Sequence, residues 1–150
     1  MSYRDLKEIL NISINWERKL KDFYDVAEVA LRDDRSEKVV AILRRKLVQN
    51  LKILEGIHPQ DYGKVEWVKF PLEYHEKELI PIQRIRRDSS PGEIFEQILE
   101  YEIKMRDFYS DISKNIAPGE QKDLFDSLVS FKIRQIIELK KYMEDYDLAI

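Results

Sequence analysis

The sequence predicts an all-α four-helix bundle, and three observations carry that reading. Apolar residues recur at three- and four-residue steps through four long segments, the period of one buried helix face. Glycine and proline, 4 and 5 in 150 residues, leave few places for the chain to turn. Two short polar breaks flank one long connection, which gives helix pair, crossover, helix pair in a single domain spanning 1–150.

The first helix is placed at about 3–31, on the series Leu6, Ile9, Leu20, Phe23, Ala27 and Leu31. Asp33-Asp34-Arg35-Ser36 breaks the pattern. Val39, Ile42, Leu43, Ile53 and Ile57 then resume it as a second helix, antiparallel to the first and stopped by Gly56 and Pro59. Ser90-Pro91-Gly92-Glu93 combines an N-cap serine, a first-turn proline and a capping-box glutamate, so a third helix starts there and runs through Ile94, Ile98, Met105 and Ile112 to about Asn115. After Pro118-Gly119, the residues Phe125, Leu128, Val129, Ile136 and Leu139 mark a fourth helix that lasts to about Asp145. The chain thus divides into a hairpin at 3–57, a crossover at 58–89 and a hairpin at 90–145. The crossover carries Pro59, Pro71 and Pro81 with Tyr62, Trp67, Phe70 and Tyr74, which is too apolar for a disordered linker. It is expected to pack along the bundle, with a short helix around Tyr74 to Leu79.

Composition removes several function classes. Without cysteine there are no disulfides, thiolate nucleophiles or iron–sulfur clusters, and His58 and His75 are the only imidazoles. The charged N-terminus lacks an apolar signal core and no apolar run is long enough to span a bilayer, so a cytoplasmic protein without membrane contact is expected. A net charge of −3 and a pI of about 5.6 argue against a nucleic-acid partner. The one basic run, Arg84-Ile-Arg86-Arg87, reads as a solvated loop, and His75 among Glu73, Glu76 and Glu78 reads as a charged turn. Trp16, Trp67, Phe70 and Tyr101 offer either a cover for the bundle or an apolar surface for a homodimer.

The first and third helices share a word. Glu17-Arg-Lys-Leu-Lys-Asp-Phe-Tyr24 matches Glu102-Ile-Lys-Met-Arg-Asp-Phe-Tyr109, an offset of 85 carrying 17 onto 102, and an aromatic, Trp16 or Tyr101, precedes each. Letters align the second and fourth helices at an offset of 86, which sets Lys46 on Lys132 and Gln49 on Gln135. The chain therefore reads as two copies of one helix hairpin. Shared Glu, Lys, Gln and Tyr exceed what common amphipathic spacing explains. Helical spacing puts Glu17 and Glu102 on the apolar faces of their helices, and the series 39, 42/43, 46, 49/50, 53 and 125, 128/129, 132, 135/136, 139 do the same for Lys46, Gln49, Lys132 and Gln135, so six polar side chains are expected to meet at mid-bundle.

Here the chain resembles the ferritin-like di-iron carboxylate proteins, rubrerythrins among them. Those proteins take one Glu from each of two helices and a Glu-x-x-His pair from each of the other two. In rubrerythrin-like sequences a Tyr follows the lone Glu one heptad later, as Tyr24 follows Glu17 and Tyr109 follows Glu102. The resemblance implies a ferritin-like bundle with Glu17 and Glu102 at the lone-Glu ligand positions and Tyr24 and Tyr109 behind them. Where the family has Glu-x-x-His, this chain reads Lys46-Leu-Val-Gln49 and Lys132-Ile-Arg-Gln135, and no Glu-x-x-His occurs anywhere. A protonated lysine binds no metal and an amide is a poor ligand for iron.

Exchanging two glutamates for two lysines changes the site by four charges, the same as losing two divalent ions. The expectation is a ferritin-like protein with a Glu/Lys/Gln cluster in place of its di-iron centre, no cofactor, and a non-catalytic structural or interaction role. Set against it are lysines that lie at the bundle edge and snorkel to water; a di-metal oxidoreductase or peroxidase-like enzyme that holds iron or manganese through Glu17, Glu102 and an atypical ligand set; and a small-molecule binder using the bundle interior.

Overall fold

The computed structural model describes residues 2–62, 67–70, 84–86 and 88–145. Four helices dominate it: α1 (Leu6–Ala30), α2 (Asp34–Glu55), α3 (Pro91–Lys114) and α4 (Glu120–Asp145). Two four-residue strands, β1 (Ser2–Asp5) and β2 (Trp67–Phe70), form an antiparallel ribbon that sets Ser2 opposite Phe70 and Asp5 opposite Trp67. A 3₁₀ turn, Pro59–Tyr62, leaves the end of α2.

Helix starts follow side chains that catch free backbone N–H groups. The Asp5 carboxylate accepts from Glu8 N at 2.8 Å, so α1 begins at Leu6. The expected start near residue 3 is thereby corrected, because residues 2–5 are extended in the ribbon. Asp33 accepts from the N and Oγ of Ser36 at 3.0 and 2.9 Å, and these bonds hold its carboxyl below the usual carboxylate range. Ser90 accepts from Glu93 N at 3.2 Å, with Pro91 opening α3.

Side-chain pairs fix the helix directions. Trp16 packs edge-on against Phe108 and Phe23 against Tyr101, so α1 and α3 run antiparallel along an aromatic seam. Ser36 Oγ meets Tyr142 Oη at 2.9 Å while Lys46 reaches Glu138, which makes α2 antiparallel to α4. Contacts of Phe95 with Tyr142 and of Tyr109 with Phe125 do the same for α3 and α4, and Arg18 to Glu55 and Arg44 to Asp25 do so for α1 and α2. Every adjacent pair is therefore antiparallel, and α2 and α3 point the same way. The end of α2 and the start of α3 therefore lie at opposite ends of the bundle, separated by about the length of α2, whose 22 residues span about 33 Å at ~1.5 Å per residue. That separation explains a crossover of this length.

Trp16 and Tyr101 lie inside the bundle, 1% and 3% exposed, so neither can offer an apolar dimer surface. The expected helix near Tyr74 to Leu79 and the His75 turn lie outside the described residues. No helix among the described residues is long and apolar enough to cross a membrane.

Candidate functional site

Midway along the bundle, α1, α3 and α4 each send one ionisable side chain to a common point. Glu17, Glu102 and Lys132 are all fully buried. Lys132 Nζ lies 2.6 Å from Glu17 Oε1 and 3.0 Å from Glu102 Oε1, donating to both. Tyr109, one heptad after Glu102 on α3, donates its hydroxyl to Glu17 Oε2 at 3.0 Å. Both oxygens of Glu17 are thus satisfied. Glu102 Oε2 and the Tyr24 hydroxyl are buried and have no hydrogen-bond partner.

The electrostatics follow from that geometry. Burial pushes the Glu102 carboxyl above its usual range; the Lys132 ammonium pulls against this and the Glu17 carboxylate adds to it. Burial alone would lower Lys132, but the carboxylates of Glu102 and Glu17 outweigh it and hold the ammonium above its ordinary value. Burial and the same two carboxylates push Tyr24 and Tyr109 well above the usual phenol value, so both hydroxyls stay neutral.

Gln135, one turn beyond Lys132 and 2% exposed, donates its Nε2 to the backbone oxygen of Leu43 at 3.0 Å and so ties α4 to α2. Lys46 and Gln49 do not join the cluster, which corrects the expected set of six. Lys46 sits on the flank of α2 with its side chain 42% exposed, paired to Glu138 Oε1 at 2.7 Å, and Gln49 is exposed. The physical reason is a one-residue error in register. The buried positions of α2, Val40, Leu43, Leu47, Leu51 and Leu54, map onto Phe125, Leu128, Lys132, Ile136 and Leu139 of α4 at an offset of 85, the offset that relates α1 to α3. One offset thus serves both helix pairs. Lys132 corresponds to Leu47 and Gln135 to Asn50, while Lys46 corresponds to Phe131.

This register accounts for two further asymmetries. The copy containing α2 supplies a leucine where the other supplies an ammonium, so the cluster holds two carboxylates against one cation. Asn50, one methylene shorter than its counterpart Gln135, leaves a buried Nδ2 without a partner where Gln135 reaches a carbonyl. Leu47 and Asn50 are the positions that letter matching missed. Their signal in the sequence is the apolar series 40, 43, 47, 51 and 54.

A metal pair of the kind the sequence resemblance implies does not fit the side chains at this point. Among the described residues two carboxylates are present where four would be needed, none of the neighbours is an imidazole, and the Lys132 ammonium occupies the space between the carboxylates. Among the described residues no group of three or more His, Cys, Asp or Glu is placed to hold a metal ion. Comparison with models of known protein families, with curated proteins and with solved structures returned no match.

Proposed function

We propose that this protein is a ferritin-like, rubrerythrin-like bundle whose di-iron position has been taken over by an internal ion cluster, and that it works as a structural or interaction module rather than as a catalyst. The observation that carries this reading is the Lys132 ammonium held between Glu17 and Glu102 at 2.6 and 3.0 Å, with no exposure to water. In a di-iron bundle the lone glutamates face divalent ions, and here the same two positions face one fixed positive charge. The Glu-x6-Tyr words, the paired antiparallel hairpins and the long crossover support the ancestry.

The exchange makes physical sense. A buried carboxylate pair needs a counter-charge, and a lysine on the neighbouring helix supplies it without dependence on metal supply. Such a cluster makes little net contribution against an apolar core, but removing one partner strands the others. It specifies which helices meet and in what register.

Metal analysis tests the reading. Protein purified from iron-supplemented cells is expected to contain far less than one iron or manganese per chain and to show no oxo-bridged ferric absorption. Stoichiometric metal coordinated by residues of α1 to α4 would overturn it.

A further inference from the structure

The geometry points to a modification that the cluster can perform on itself: condensation of Lys132 with Glu102 to form an intramolecular amide that ties α4 covalently to α3. This goes beyond the proposed role, since an ion cluster that never condenses still serves the bundle. Four observations carry it. The three groups are sealed in the core with no exposure, so water competes neither as nucleophile nor as solvent for the charges. Lys132 Nζ already touches both carboxyl groups, 3.0 Å from one oxygen of Glu102 and 2.6 Å from Glu17, the proximity that converts a slow bimolecular reaction into a fast internal one.

The two carboxyls are also unequal, which assigns their roles. Glu17 is held by Lys132 on one oxygen and by the Tyr109 hydroxyl on the other, a setting that fixes it as proton carrier. Glu102 has one oxygen on Lys132 and the other, Oε2, without a partner, so that oxygen is free to carry a proton and depart. Finally, because Leu47 rather than a second lysine stands at the matching position of α2, one carboxyl lacks a counter-charge. That excess carboxyl, Glu102 with its unpartnered oxygen, is the one placed to fold in as the neutral acid, the reactant an amide requires.

The step balances without any co-reactant. The reactants are the Lys132 ammonium, the Glu17 carboxylate and the Glu102 carboxylic acid. Glu17 takes a proton from Nζ; the freed amine lone pair attacks Glu102 Cδ and forms the C–N bond. The second proton passes from that nitrogen directly to the departing Glu102 oxygen, so the C–O bond breaks and one water is released, while Glu17 keeps the first proton. The products are the amide, the water and a neutral Glu17 acid. Nothing is oxidised or reduced. The reaction also replaces a buried ion pair by neutral groups, which removes the charges that the core solvates poorly.

Intact-mass measurement of the purified full chain tests this. The expected mass is lower than that of the sequence by one water, with proteolysis yielding a branched peptide that joins the Glu102 segment to the Lys132 segment. Lys132→Arg and Glu17→Gln, each checked for helicity, should both return the full mass. Glu102→Gln should instead lose ammonia, because the leaving group changes with the residue attacked. Unmodified wild-type protein with full mass after prolonged incubation in its folded state would overturn the proposal. So would a water loss that persists in Lys132→Arg, which would place the dehydration elsewhere, or a branched peptide through Glu17. If the variants fail to fold, the wild-type mass and its branched peptide decide alone.

Discussion

Lys132 and Lys46 are the same residue type with opposite fates, and their surroundings decide which. Lys132 is fully buried, and its charge is supported by hydrogen bonds to Glu17 and Glu102; Lys46 spans the outer flank to Glu138 in contact with solvent. The two tyrosines behind the carboxylates differ in the same way. Tyr109 gives its hydroxyl to Glu17, whereas the Tyr24 hydroxyl is buried with no acceptor. Tyr109→Phe should therefore cost about 1–3 kcal/mol, the usual penalty for leaving a buried acceptor without its donor. Tyr24→Phe should be neutral or slightly stabilising, since it removes an unsatisfied polar atom. Urea unfolding of the two variants checks this; equal losses would contradict the asymmetry. Acid sensitivity comes from other carboxylates. Burial raises Asp25, but hydrogen bonds from Arg44 and Lys21 outweigh it and hold its folded value below the ordinary 3.8. A depressed folded value means that its stabilisation is complete above the ordinary value and is lost as pH falls through the folded one. Thermal melts taken from about pH 5 downward should thus show a declining midpoint, and the decline should be shallower in Asp25→Asn.

At the scale of elements, the four helices were legible because their apolar period runs unbroken between few breakers, and their ends because the caps are local. Ser90 and Pro91 announce α3 in adjacent letters. The ribbon was not legible: β1 pairs with residues more than sixty positions away, and nothing within Ser2 to Asp5 signals that partner. The start of α1 was misplaced near residue 3 although Asp5 and Glu8 form a local capping pattern that marks it. Four of the six expected site positions were legible as well. Glu17, Glu102, Lys132 and Gln135 follow from helical spacing alone, and the structure buries all four. Lys46 and Gln49 were misplaced because their identity with Lys132 and Gln135 favoured an offset of 86, whereas the buried positions of the two helices align at 85. Burial is collective along a face, so a register that satisfies Val40, Leu43, Leu47, Leu51 and Leu54 together leaves Lys46 no way inward. The corrected register makes a prediction. Leu47→Glu, Asn50→His, Lys132→Glu and Gln135→His combined should give a protein destabilised by crowded carboxylates without metal and restored by Fe(II) or Mn(II) in thermal melts. The same exchanges at Lys46 and Gln49 in place of Leu47 and Asn50 should leave the melts unresponsive to metal.

For the whole molecule, one buried charge cluster reports on the entire arrangement, because its three members come from three helices and both hairpins. Two hairpins related by a single offset of 85 bring α1 and α3 together through aromatic rings, and α4 then delivers the one cation to the carboxylates that those helices present. The crossover lets α2 and α3 run in parallel, and that parallel course is what sets the two hairpins face to face. If this description is right, stability hangs on Lys132 and not on its sequence look-alike. The direct test is equilibrium urea unfolding of Lys132→Ala beside Lys46→Ala. Removing Lys132 strands two buried carboxyls and is predicted to cost about 3–5 kcal/mol, while removing Lys46 breaks only a half-exposed pair and is predicted to cost no more than about 1 kcal/mol. Equal small losses in the two variants would contradict the account.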